Sequence, residues 1–310
     1  QLPDKAYARL LEPIVGPSSL KEVKRLTINV GATTPFRVLH LSDTHLTLVD
    51  GRDNERKHTL AARRQSAFPW AEHYFDAAVR YANERDLMIF HTGDLQDFVS
   101  EANIDFISSQ LRVGDWYTSA GNHEFSQYVG EAKEDAAYKM QSYAKVQSAF
   151  PNDLTVASRV INGVNFVALD DVYYTVTAEQ HEAMRREVAK GLPIVLMCHV
   201  PFYTPNHCQT ILKGNGGIAG YMTGAPLSIT ETYQQDASRP ASEQWRSRTV
   251  QQRVDKATLD FIAWLKEQPL LKAILCGHCH DFFEERFSPT AMQYTVEAGY
   301  KGGAYEIEFV

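Results

Sequence analysis

Six short apolar runs punctuate the chain: FRVLHL (36–41), LMIFH (87–91), WYTSA (116–120), VNFVAL (164–169), PIVLMC (193–198) and KAILC (272–276). Each is bounded by Gly, Asp or Asn, and runs of this length and composition predict buried strands. VKRLTINV (23–30) predicts one more strand ahead of them. Between the runs, apolar positions recur at helical spacing over 69–85, 101–111, 178–190 and 255–267, with Leu259, Ile262, Ala263 and Leu265 marking one face of the last. Thr177-Ala-Glu-Gln has the form of a capping box, an N-terminal helix signal. Alternating strands and helices predict an α/β chain. After residue 281 the pattern changes to FFEERF, MQYTVEA and AYEIEFV, with turns at Ser288–Pro289 and Gly302–Gly303, which predicts antiparallel strands. Residues 203–253 carry no sustained period and are too long for an ordinary connection. Residues 1–22 read as an N-terminal extension to one domain over 23–310, because the chain contains no repeat and no low-complexity tract.

Composition narrows the picture little. A chain of 310 residues, 44% hydrophobic, can bury a large core. A net charge of −7 argues against a nucleic-acid backbone or an anionic membrane as partner. No apolar run approaches the roughly 20 residues of a membrane span, so the chain reads as soluble. Four cysteines (Cys198, Cys208, Cys276, Cys279) make no disulfide framework and fix no compartment. The start at Gln1 reads as a processed N-terminus, and a signal peptide removed ahead of it would make the expected location periplasmic or extracellular.

The chemistry is concentrated where the predicted strands end. HLSDTHLT supplies Asp43 and His45, FHTGDLQDF supplies Asp94, SAGNHEF supplies Asn122 and His123, LMCHVPF supplies His199, and LCGHCHDF supplies His278 and His280. Carboxyl ends of strands in an open α/β sheet share one edge, so these residues are expected to converge. Within D-x-H and H-x-H, an extended chain would turn residues i and i+2 toward the same pocket. Asp43, His45, Asp94, Asn122, His199, His278 and His280 together offer more donors than one tetrahedral ion can use, which suggests two ions. Taken singly, each has an ordinary structural reading as turn former, cap or core histidine. Together they would require too many coincidences.

In order, Asp43-Thr-His45, Gly93-Asp94, Gly121-Asn122-His123-Glu124, His199 and Gly277-His278-Cys279-His280 resemble the five blocks of the calcineurin-like metallophosphoesterases, over roughly residues 36–300. The resemblance implies a four-layer α/β/β/α sandwich of two mixed sheets with a dinuclear site at the strand ends. It implies that Asp43, His45, Asp94 and His280 hold one ion and that Asp94, Asn122, His199 and His278 hold the other, with Asp94 as the bridge. The implied reaction is hydrolysis of phosphomonoesters or phosphodiesters by a metal-activated water. His123 would act on the leaving group, oriented by Asp97. Phe98 and Val99 depart from the Arg-Gly of the protein-phosphatase branch, and position 97 lacks the Tyr of the purple acid phosphatases. Mixed His and carboxylate donors suit manganese, iron or zinc.

Two other readings compete. A metal-stabilised scaffold without turnover would have lost His123 more readily, and a single-zinc amidase would leave Asn122 and three histidines without work. His58 and His91 read as packing or surface residues, His207 as packing or as a substrate contact from the long insert, and Cys276-x-x-Cys279 as packing. The expected partner is a small-molecule phosphoester, with no nucleic-acid or membrane signature. The insert 203–253 is expected to form a substrate-selecting lid that starts with Tyr203–His207 at the pocket rim and is anchored by Tyr221, Tyr233 and Trp245.

Overall fold

The computed structural model describes residues 16–130, 134–237 and 246–310. Eleven strands form among them: β1 (Glu22–Ile28), β2 (Phe36–Leu41), β3 (Met88–His91), β4 (Trp116–Thr118), β5 (Val156–Ile161), β6 (Val164–Leu169), β7 (Ile194–Met197), β8 (Leu271–Cys276), β9 (Phe283–Arg286), β10 (Met292–Thr295) and β11 (Gly303–Phe309). The helices are α1 (Glu55–Ala67), α2 (Ala71–Glu84), α3 (Glu101–Val113), α4 (Ala136–Gln147), α5 (Ala178–Val188), α6 (Pro205–Gly214), α7 (Leu227–Thr230), α8 (Arg246–Gln251) and α9 (Lys256–Lys266). One sheet has the order β1-β11-β2-β3-β4 and the other β5-β6-β7-β8-β10-β9, both mixed parallel and antiparallel.

Three apolar layers follow from strand composition. Strands buried on both faces alternate their side chains between two neighbours. Val38, Phe90, Phe166, Val195, Leu275 and Phe309 face one another between the sheets. Leu39 and Ile89 turn outward onto α2, α3 and α4 through Phe75, Phe106, Leu111 and Val146. Leu196 and Ile274 turn the other way onto α5 and α9 through Met184, Phe261 and Leu265. The result is the expected four-layer sandwich. Asn54, Ser100, Asp135, Thr177 and Asp255 each cap a helix with a side-chain oxygen, and the capping box at Thr177 forms as its sequence predicts.

Several expectations are corrected. The strands after residue 281 do not make one antiparallel unit: β9 and β10 do, but β10 also lies parallel to β8, and β11 crosses to the other sheet between β1 and β2. Both faces of β10 and β11 are buried, so each fits a sheet interior rather than a hairpin. Helices α1, α4 and α6 and strand β5 lie outside the elements the sequence predicts. Half-exposed β5 is an edge strand, and α1 buries few residues, Leu60 and Ala61 among them. The insert is partly helical, containing α6, α7 and α8, and Trp245 lies outside the described residues. No described helix is long and apolar enough to cross a membrane.

Phe166 is fully buried between the sheets, its ring within 5.8 Å, 4.9 Å and 5.0 Å of Phe36, Phe90 and Phe309. Phe166→Ala is expected to lower unfolding free energy by about 3–5 kcal/mol in urea titration. A loss under about 1 kcal/mol would show that the inter-sheet layer collapses around the gap.

Candidate metal centre

Five loops meet where the two sheets end. Those after β2, β3 and β4 bring Asp43 and His45, Asp94, and Asn122 and His123, and those after β7 and β8 bring His199, and His278 and His280. Convergence therefore joins the edges of two sheets rather than one. The pairs are also not extended. Asp43, His45, Asp94, His278 and His280 all have left-handed backbone, with φ of 53°, 53°, 57°, 68° and 57°. Such φ values are uncommon outside glycine and concentrate at functional sites. Here they let the chain turn back at each strand end while both side chains of a pair still face the centre. The glycines beside them permit backbone contact: a Cβ on Gly93 (φ +99°) would meet Gly121 N at 2.5 Å, and one on Gly121 would meet Asp94 N at 2.3 Å.

Each histidine has one nitrogen tied from outside and the other aimed inward. His45 Nδ1 lies 2.8 Å from Asp97 Oδ1 and His199 Nδ1 2.7 Å from the Thr92 carbonyl. His278 Nε2 meets the Tyr174 hydroxyl at 3.1 Å, and His280 Nδ1 meets that of Tyr300 at 3.2 Å. The inward nitrogens pair off, His45 Nε2 with His280 Nε2 at 3.4 Å and His199 Nε2 with His278 Nδ1 at 3.2 Å. Carboxylate oxygens stand against them: Asp43 Oδ1 is 2.9 Å from His280 Nε2, and Asp94 Oδ2 is 3.1 Å from His199 Nε2 and 3.7 Å from His45 Nε2. Donor atoms within 4.8 Å of one another come from Asp43, His45 and His280, from Asp94, His199 and His278, and from His45, Asp94 and His123. Asn122 Oδ1 is buried without a hydrogen-bond partner. A buried polar atom left unpaired is costly, and a cation would satisfy it. The donor set thus fits metal ions, with one outer hydrogen-bond partner fixing the orientation of each ring.

The charge of the two carboxylates and of His278 supports the same assignment. Burial pushes the Asp43 and Asp94 carboxyls up, but the neighbouring histidines, His280 and His199 foremost for Asp43 and His199 for Asp94, outweigh it and hold both below the usual carboxylate range. Ionised carboxylates are what a cation requires. Burial and the neighbouring His199 lower His278 to about 3, so that ring is neutral. His123 is opposed by burial, yet Asp94 and Asp97 hold it up to about 10.

Asp97 has a different geometry from the one expected. Its carboxylate sits nearer His45 than His123, at 2.8 Å against 3.2 Å, while its backbone carbonyl takes His123 Nδ1 at 2.8 Å. Arg64 of α1 grips both oxygens of Asp97 at 2.6 Å and 2.8 Å. Sequence reasoning missed Arg64, because its helix is remote in the chain and shows no motif. It also missed Tyr174 and Tyr300 and the role of Glu124. The Glu124 carboxylate accepts from the backbone N–H of Asp94, Leu95 and Gln96 at 2.7 Å, 2.6 Å and 3.2 Å, and from Gly121 N–H. Burial and then Asp94 push this carboxyl up to about 7, against the pull of the amides.

The centre opens into a pocket of about 650 Å³. Thr210, Ile211, Asn215, Tyr221 and Arg248 of the insert line it, rather than Tyr203–His207. His207 is buried, paired with Asp281 at 2.9 Å and stacked on Phe283, so it fastens α6 beside β9 and does not reach the pocket. His91 is buried against Thr44, and His58 bonds the Asp50 carbonyl. All four cysteines are free; Cys276 faces Cys198 at 3.7 Å and does not pair with Cys279.

Residues 36–282 match the family model described as calcineurin-like phosphoesterase. Among solved structures, a dimetal phosphatase from Danio rerio is similar at 13% identity and a TM-score of 0.44, over 86% of this chain and 88% of that one. A candidate 5'-nucleotidase from Staphylococcus aureus, bound to α-ketoglutarate, is 12% identical with a TM-score of 0.40, and the match covers 86% of this chain and 49% of that one. A 5'-nucleotidase from Candida albicans is 14% identical with a TM-score of 0.40, covering 89% of this chain. The chain spans about half the length of the two nucleotidases, 49% and 48%. No curated protein matches the sequence.

Because Glu124 holds two ligand loops at once, Glu124→Gln should replace one acceptor by a donor facing backbone N–H groups. The expected result is a loss of metal affinity of about 10–100-fold, measured by calorimetric titration, with far-UV circular dichroism unchanged. Unaltered affinity would assign Glu124 to the fold alone.

Proposed function

Because the chain belongs to the calcineurin-like phosphoesterases, we propose that it is a metal-dependent hydrolase that cleaves small phosphomonoesters or phosphodiesters at a dinuclear centre. In this reading Asp43, His45, Asp94 and His280 form one half, Asp94, Asn122, His199 and His278 form the other, and Asp94 is shared. The observation that carries it is the facing of two pairs of imidazole nitrogens, at 3.4 Å and 3.2 Å, on either side of the Asp94 carboxylate. Bound cations would supply positive charge to the phosphate oxygens and bring the acidity of water near neutral pH. Manganese, iron and zinc all suit the donor set.

The protein's own groups then divide the work. Asp97 and Arg64 fix the His45 ring, so that its Nε2 lone pair stays directed inward. His123 Nδ1–H donates to the Asp97 carbonyl, which leaves Nε2 for the pocket. From there the imidazolium can pass its Nε2 proton to the departing oxygen, a general-acid role. The insert supplies one wall of the pocket through Tyr221, Asn215 and Arg248, and this is the support for reading 203–253 as the substrate-selecting part of a single catalytic domain.

Two substitutions test the reading. Asp94→Asn should lower turnover at least about 100-fold and cost one ion of two, by elemental analysis, with little change in fold; wild-type turnover with two ions bound would sink it. His123→Ala should keep the metal content but lower kcat about 10²–10⁴-fold, most for alkyl esters with basic leaving groups. Equal losses for alkyl and nitrophenyl esters would assign His123 to phosphate binding instead.

A further inference from the structure

A second cavity, of about 490 Å³, lies beside the metal pocket. Glu134 lines both spaces. Tyr173 forms part of the second cavity's wall, and its hydroxyl donates to the Asn122 carbonyl at 3.3 Å, so a single ring separates this space from the proposed ligand set. Helix α4 supplies Ala136 and Met140, and Val250 comes from α8 of the insert. The insert that walls the metal pocket therefore also contributes to this cavity.

Its chemistry favours an uncharged occupant. Lys139 Nζ is committed to Asp170 Oδ2 at 2.8 Å and to the Val172 carbonyl. Gln180 Nε2 donates to the carbonyls of Thr155 and Asp170 at 3.0 Å and 2.7 Å, and its Oε1 accepts from Thr177 N–H at 2.9 Å. Gln251 Nε2 donates to Glu134 Oε2 at 2.7 Å. With these polar groups paired among themselves, a ligand would find mainly the apolar surfaces of Met140, Tyr143, Val172, Tyr173 and Val250. A pocket of this size is in the range that encloses small organic ligands.

We propose that this cavity is the subsite for the organic portion of the substrate, an uncharged, largely apolar group that passes Glu134 while its phosphoester lies beside Asp94, Asn122 and His123. The inference rests on the hydrolase reading above. Burying an apolar chain there would select long esters over short ones, chiefly through KM.

Propyl and octyl phosphate test it, because their alkoxides are nearly equal as leaving groups. The metal-loaded wild-type protein should favour octyl phosphate in kcat/KM by roughly 10–100-fold. Ala136→Trp and Met140→Trp, both at exposed positions of α4 on the cavity wall, should bring that ratio toward one with propyl phosphate turnover unchanged. Binding of 1-octanol, followed by protein NMR shifts without any turnover, should weaken in the same variants. Hydrolysis of propyl phosphate without an octyl preference, or a ratio unmoved by both variants, would overturn the subsite. Failure to hydrolyse either ester would instead count against the phosphomonoesterase form of the hydrolase reading, and the octanol measurement would still decide the cavity: binding equal in wild type and variants, or none at all, would refute it.

Discussion

The centre depends on one buried carboxylate that is not itself a proposed ligand. Glu124 accepts backbone N–H groups from Asp94, Leu95 and Gln96 on one loop and from Gly121 on another. Those loops would otherwise bury several unpaired amides, each costing about 1–3 kcal/mol. The same clamp fixes Asp94, whose Oδ1 in turn accepts the His123 N–H at 2.7 Å. Asp94, Asn122 and His123 thus stand in one rigid frame before any cation is considered. Asp171 plays a parallel part in the other sheet, where its Oδ1 accepts the N–H groups of His199 and Val200 at 3.2 Å and 3.1 Å.

This arrangement explains how a strained site can persist. Five of the proposed ligands have left-handed backbone, at a cost of order 1–3 kcal/mol each. Strain of that size survives only where the surroundings over-determine the conformation. The close approach of Gly93 to Gly121, the amides gathered by Glu124 and the His278 N–H held by Asp43 Oδ2 at 2.8 Å do so here. Three apolar layers behind the loops keep the strand ends from yielding.

Much of this was legible in the sequence, and the exceptions have physical causes. Asp43, His45, Asp94, Asn122, His123, His199, His278 and His280 could be found because each follows a strand with a strong apolar signature, and strand ends are where side chains of a layered fold converge. The path between the paired ligands was misread, since i and i+2 can also share a pocket through left-handed turns, which period-2 reasoning does not contain. Arg64, Tyr174 and Tyr300 were not legible because they act by contact across elements, from positions with no motif of their own. The destination of β11 was hidden for a similar reason: alternation in AYEIEFV announces a strand but not which of two sheets will accept it. The insert looked aperiodic because its helices are short and separated by glycine turns at Gly216, Gly217 and Gly224.

The two spaces on either side of Glu134 differ in what they leave unpaired. On the metal side, imidazole nitrogens, carboxylate oxygens and the unpaired Asn122 oxygen converge, so the region offers a set of donor atoms to a cation and, through it, a place for phosphate. On the other side Lys139, Asp170, Gln180 and Gln251 are hydrogen-bonded, and the exposed wall is mainly carbon. A substrate with a charged head and an apolar tail matches that division in both halves at once. Reversing it would leave the centre's lone pairs against carbon and a phosphate beside donors that already serve a carboxylate or a carbonyl. The same insert borders both spaces through Arg248 and Val250, two residues apart on α8, so a change in that short helix would alter recognition of head and tail together.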